Sequence, residues 1–230
     1  MALVLVDLDG TLIGGLSSEP SFFGFLLRRG MAGRSQIGAS LRFLPRAWPD
    51  YGRQSFKKNK AFLAGLPVDT VRAQAEIFAL THLLPRVRDT MRERIDWHRR
   101  QDDMLCLLTG AGDFIAGPLA DLLDIQTFCA ARCASANGVF TAAAPDYHPI
   151  GLEKLAAARQ IATEAGEDMA DAVAYGDSGH DVALLRAVGR PVAVNPSRAL
   201  RRVARQEGWE ILDGRTPTRS HPVSQPQAQL

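Results

Sequence analysis

A chain of 230 residues can bury one sizeable core, or a core with an inserted module. Hydrophobic content of 46% with 23% charged residues is that of an ordinary globular protein, and a formal charge of +2 is too slight to argue for nucleic acid. Cys106, Cys129 and Cys133 make no secreted disulfide framework, and the first apolar run stops at Asp7, far short of a signal segment or a membrane span. The expectation is a cytoplasmic protein without nucleic-acid or membrane partners.

Leu3 to Val6 reads as a buried strand, short and Val/Leu-rich, running into Asp7 and Asp9 in the stretch LVLVDLDGTL. Alternation along a pleated strand sends both aspartates to one face, where they repel unless a cation or hydrogen bonds compensate. A solvated turn is the plain alternative for such a pair. From Gly14 to Pro85 the texture changes. Phe22, Phe23, Phe25, Leu26 and Leu27 form one apolar cluster and Phe56, Phe62 and Leu63 another, while Val71, Ala75, Phe78 and His82 keep helical spacing. Arg and Lys outnumber acids there, no strand alternation occurs, and Pro45, Pro49, Pro67 and Pro85 punctuate it. This is a helical insert over 14–85, and its basic residues form a solvated face or attract an anion.

Past Pro85, strands and helices alternate. Val87, Met91, Ile95 and His98 mark a helix face; Met104 to Leu108 is a strand ending in Thr109-Gly110. Lys154 to Ala165 is a helix stopped by Gly166, and Ala172 to Tyr175 a strand ending in Gly176-Asp177. Asp181 to Val188 is a helix, and Pro191 to Val194 another strand. Such alternation predicts a doubly wound, mainly parallel α/β sheet, with ligands outside the carboxyl ends of its strands. Residues 214–230, polar and Pro-rich, are expected to be disordered.

Collected at that edge are Asp7, Asp9, Asp177 and Asp181, the Thr109 hydroxyl with the Gly110 amide, and Lys154. Acids suggest a hard-cation site; hydroxyl, amide and lysine suggest an anion seat beside it. Cation, anion seat and carboxylate nucleophile are what phosphoryl transfer requires. Each residue also has a plain reading. Lys154 can be a solvated helix residue, Thr109 a strand end, and Asp181 a partner of the helix dipole. His180 has no orienting partner and reads as loop; Cys129, Cys133 and His148 lack the spacing of a zinc site.

DLDGTL, LLTG, Lys154 and YGDSGHDVALL resemble motifs I to IV of the haloacid dehalogenase superfamily, and GRPVAVNPSRAL with the later GWEIL is similar to its subfamily IB, the phosphoserine-phosphatase-like group. The resemblance implies a core over 1–13 and 86–213, with 14–85 as a helical C1 cap. It implies Asp7 as nucleophile and Asp9 as general acid/base, with Thr109, Gly110 and Lys154 on phosphate. Asp7, the main-chain carbonyl of Asp9, and Asp177 would hold Mg²⁺, with Asp181 nearby as ligand support or hydrogen-bond partner. The implied activity is hydrolysis of a small phosphorylated metabolite. A phosphotransferase with the same aspartyl phosphate and a receiver-like signalling module are the alternatives, the latter opposed by Asp9 and the cap. Thr11 is expected to fix Asp9 or the turn. Phosphoserine phosphatases carry an acid shortly after motif I for the substrate amine; here Leu16 fills that slot and Glu19 follows three residues later. Phosphoserine, histidinol phosphate and phosphoethanolamine-like compounds are all candidates. The clustered Phe22, Phe23, Phe25 and Phe56 suggest a cap with a core of its own, moving as one body.

Overall fold

The computed structural model describes residues 1–214; the tail from Arg215, and with it nearly all of the segment expected to be disordered, lies outside the described residues. Six parallel strands form the sheet in the order β3-β2-β1-β6-β7-β8. They are β1 (Leu3–Val6), β2 (Met104–Gly112), β3 (Thr127–Ala131), β6 (Val173–Gly176), β7 (Arg190–Val194) and β8 (Glu210–Leu212). A separate antiparallel pair, β4 (Ser135–Ala136) and β5 (Val139–Phe140), turns at Asn137-Gly138, both at positive φ.

Alternation in β1 feeds both faces of the sheet. Val4 and Val6 enter one hydrophobic cluster while Leu3 and Leu5 enter the other. The second face is covered by α7 (Leu152–Ala165), α8 (Val182–Leu185) and α9 (Arg198–Glu207) through Ala158, Leu185 and Leu200. The first face takes α5 (Asp89–Arg100) and α6 (Asp113–Leu122) through Met91, Ile95, Phe114 and Leu119. Since β1 pairs with β2 on one side and β6 on the other, their carboxyl ends form the crevice where the chain reverses its direction of winding.

Between β1 and α5 the chain is helical: α1 (Ser18–Arg28), α2 (Arg34–Tyr51), α3 (Ser55–Lys58) and α4 (Val68–Phe78), with a π turn over Ala79–Leu83. Pro45 and Pro49 do not punctuate this stretch but lie inside α2. They are four residues apart and both exposed, so the carbonyls they free face water.

The expected self-contained packing of the insert is corrected by its aromatics. Phe22 meets Phe78 at 5.2 Å and Phe114 of α6 at 5.4 Å, and Phe22, Phe25 and Phe78 belong to the same cluster as Val4 and Leu107. Some seventy residues are too few to bury a large aromatic core alone, whereas the uncovered face of α6 lies beside them. Only the outer part keeps a small cluster of its own, Ala39, Phe43, Ala47 and Ala61. Phe56 belongs to neither and is exposed. Arg86 ties the insert's two connections together, donating to the carbonyls of Gly14 and Leu16.

Candidate active site

A cavity of about 480 Å³ opens at the carboxyl ends of β1, β2 and β6. Asp7, Asp9, Thr109, Lys154, Asp177 and Asp181 all line it, as does Gly110. The chain leaves β1 through Gly10 at φ +91°, where a Cβ would come within 2.2 Å of the Asp177 carboxylate. Glycine therefore lets the first and third acidic strand ends converge.

Lys154, buried at the start of α7, donates to Asp7 Oδ1 at 2.6 Å and to Asp181 Oδ1 at 2.6 Å. The second oxygen of Asp7 accepts from the Thr11 hydroxyl at 3.1 Å, and that of Asp181 accepts from the amide and hydroxyl of Ser178. Thr11 thus fixes Asp7 rather than Asp9, because the turn brings its hydroxyl back over the strand end. Burial raises Asp7 to about 7 against the pull of Lys154, and raises the half-buried Asp177 to about 6. Asp181, facing the same burial, is held low by Lys154 and Ser178.

Asp9 has a different setting. Its carboxylate turns to the first residue of α1, accepting from the Ser18 amide at 2.6 Å and the Ser18 hydroxyl at 2.9 Å. A carboxylate at a helix N-terminus is stabilised by the orphan amides and the dipole. Burial nonetheless outweighs those bonds and pushes Asp9 upward.

The acids that converge are Asp7, Asp177 and Asp181, each offering an oxygen within 4.8 Å of the others. An all-carboxylate set suits a hard divalent cation. Both oxygens of Asp7 and both of Asp181 accept hydrogen bonds, and Asp181 is 2% exposed, so Asp177 is the most open of the three. The Asp9 side chain lies outside this set, so only its main-chain carbonyl remains as a candidate ligand.

The sequence reading gave Glu19 no place in the site, yet it is there. Its carboxylate accepts from Lys60 Nζ at 2.5 Å and from the Gly112 amide at 3.1 Å, and Lys60 also donates to the Gly110 carbonyl at 3.1 Å. Lys60 is 2% exposed. This buried pair joins the insert to the end of β2; a lone acid near the start of a helix carried no signal of it. His148, which lacks the spacing of a zinc ligand in the sequence, has a different place here. It is 3% exposed, lines the cavity, hydrogen-bonds the Gly110 backbone, and leaves Nδ1 without a partner. Burial and the neighbouring Lys60 and Lys58 lower it to about 3, so it is neutral near pH 7. Cys129 and Cys133 are free thiols outside the acidic cluster, and His180 is an exposed part of the cavity rim. Among the described residues, no helix is long and apolar enough to cross a membrane.

Residues 4–186 match the haloacid dehalogenase-like hydrolase family. A Streptomyces azureus protein named for inhibition of morphological differentiation is 36% identical over 59% of this chain and 49% of its own length. The chain thus spans about half of that relative. The phosphoserine phosphatase SerB1 of Mycobacterium tuberculosis is 28% identical over 99% of this chain and 75% of its own. A solved structure of a Bordetella pertussis protein of unknown function superposes with a TM-score of 0.77 at 27% identity, covering 93% of this chain and 98% of that one.

Proposed function

The chain belongs to the haloacid dehalogenase-like hydrolase family, and from that premise we propose that it is a Mg²⁺-dependent phosphatase of small phosphomonoesters, working through a phosphorylated Asp7. The observation that carries this reading is the unequal setting of the two aspartates on one cavity wall. Asp7 is clamped by Lys154 and Thr11, which fix the direction of its two oxygens; Asp9 is turned away from that clamp to Ser18 at the start of α1.

Asp7 attacks phosphorus, and the bond from phosphorus to the ester oxygen breaks as Asp9 gives that oxygen its proton. Asp9, now a carboxylate, takes a proton from the water that opens the aspartyl phosphate; phosphate leaves and Asp7 is restored. Lys154 positions the attacking oxygen, and the Thr109 hydroxyl with the Gly110 amide seats the phosphoryl oxygens. The Thr109 oxygen accepts from the Ala111 amide at 3.1 Å, which leaves its own hydrogen free to donate. Asp7, Asp177 and the Asp9 carbonyl would hold Mg²⁺, which when bound would supply the charge neutralisation that lets carboxylate and phosphate meet. The test is phosphate release from a panel of phosphorylated metabolites with Mg²⁺ and with chelator. Release dependent on Mg²⁺ and absent in Asp7→Asn is expected; metal-independent release, or release by the variant, contradicts the reading.

A further inference from the structure

One wall of the cavity takes no part in this chemistry. Phe56 of α3 lines the same cavity as Asp7 and Asp9, yet is 64% exposed. Its ring partner is Trp48 of α2, edge-on at 6.3 Å and 85°, itself 50% exposed. The two adjoining rings form an exposed apolar patch at the cavity rim rather than a single scattered side chain, the kind of surface that marks a binding site. Phe56 belongs to none of the hydrophobic clusters among the described residues, whereas Phe22, Phe25 and Phe78 are buried in the one that covers the sheet.

The adjacent charges are unequal. Of the three lysines flanking the rim, Lys60 is paired with Glu19 and Lys58 with Glu153 at 3.8 Å. Lys57 is exposed, lines the cavity and has no ion pair among the described residues. Its charge reaches the floor, since it lowers the proton affinity of Asp9 and Asp177. The cavity, at about 480 Å³, has the size of one that encloses an organic molecule rather than a phosphate with a three-carbon chain.

We propose, building on the phosphatase reading, that Phe56 and Lys57 form a leaving-group subsite for an alcohol bearing a flat aromatic or heteroaromatic ring. The ring lies on the open face of Phe56, with Trp48 edge-on beside it, and Lys57 meets an acceptor or anionic group at the ring's outer edge. Phosphorylated alcohols with such a ring are then the substrates, in preference to short aliphatic ones.

The experiment compares kcat/KM for 2-phenylethyl and imidazolylethyl phosphate with that for propyl and aminoethyl phosphate, in wild type, Phe56→Ala, Phe56→Leu and Phe56→Tyr. Wild type is expected to prefer the ring-bearing esters by about tenfold, the scale of a good aromatic contact with its burial. Phe56→Ala and Phe56→Leu should erase that ratio through KM, and Phe56→Tyr should keep it. Equal rates on both series in wild type, or an equal fall on both in Phe56→Ala, would overturn the subsite while leaving the phosphatase reading intact. Absence of release from every ester, with Mg²⁺ present and the fold verified by circular dichroism, would instead remove the phosphatase reading and the subsite with it.

Discussion

The inner and outer halves of the insert are built on opposite principles. The inner half, α1 and α4, buries Phe22, Phe25, Val71, Ala75 and Phe78 in the cluster that covers the sheet. The outer half, α2 and α3, gathers with Ala61 a cluster of three alanines around Phe43 and leaves Trp48, Tyr51 and Phe56 exposed. The inner half is therefore part of the core by energy, whatever its place in the chain. It also holds Asp9, through Ser18 at the start of α1. The outer half carries Phe56 and Lys57, which line the cavity and are proposed above to meet a substrate's organic end. On the proposed mechanism, catalytic positioning would rest on the firmly packed half and the choice of substrate on the loosely packed one.

Deleting aromatic packing from each half separates them most sharply. Phe22→Ala should destabilise the whole chain by about 3–5 kcal/mol, because a fully buried ring between two others cannot be replaced by collapse. Phe43→Ala, in the outer cluster, should cost less, about 2 kcal/mol, since this buried ring packs in a cluster whose other buried members are three alanines, with fewer contacts to lose. Denaturant unfolding measures both; equal losses would erase the distinction between the halves.

Lys60→Met tests the link between the halves and the strand end. It leaves Glu19 buried without its cation, for a loss of about 3 kcal/mol, and Glu19→Gln in the same chain should restore part of it. A double variant no better than the single would mean that the pair is not what joins insert to β2.

The smallest effect is a pH dependence at His148, which faces Lys57, Lys58 and Lys60 of the outer half. Its folded value, about 3, lies below the ordinary 6.5, so the unfolded chain binds the extra proton. Its contribution is fully present above pH 6.5 and is lost as pH falls toward 3. Asp7 and Asp177, raised to about 7 and 6, act in the opposite sense, contributing below their ordinary range and losing it as pH rises. The stability of wild type relative to His148→Asn should therefore fall by about 1 kcal/mol per pH unit between pH 6 and 4. A flat difference would show that His148 is not held neutral by its surroundings.

The central strands were legible because a strand covered on both faces writes itself as an uninterrupted apolar run: Leu3–Val6, Met104–Leu108, Ala172–Tyr175 and Pro191–Val194 all stand out. The edge strand β3 did not, since Thr127, Phe128 and Cys129 are only partly covered and keep no clean period. The β4–β5 turn carried a usable signal, Asn137-Gly138, between strands of two residues each, too short to register as runs. Helix α6 was missed because it is apolar nearly all round, with Pro118 inside. The acidic floor was readable because strand ends bring distant residues together by topology alone. Glu19, Lys60 and His148 were not, because their meeting depends on how the insert packs, and Phe56 was misplaced because an exposed aromatic looks in sequence like a buried one.

Asp7 as the group that takes the phosphoryl is the central claim, and trapping it is the most direct test. In Asp9→Asn the second step lacks its base, while an activated aryl phosphate needs little proton donation in the first. Intact-protein mass spectrometry after mixing that variant with an aryl phosphate and Mg²⁺ should show one added phosphoryl group, mapping to Asp7 and absent from the Asp7→Asn, Asp9→Asn double variant. No adduct, or an adduct on another side chain, would contradict the account.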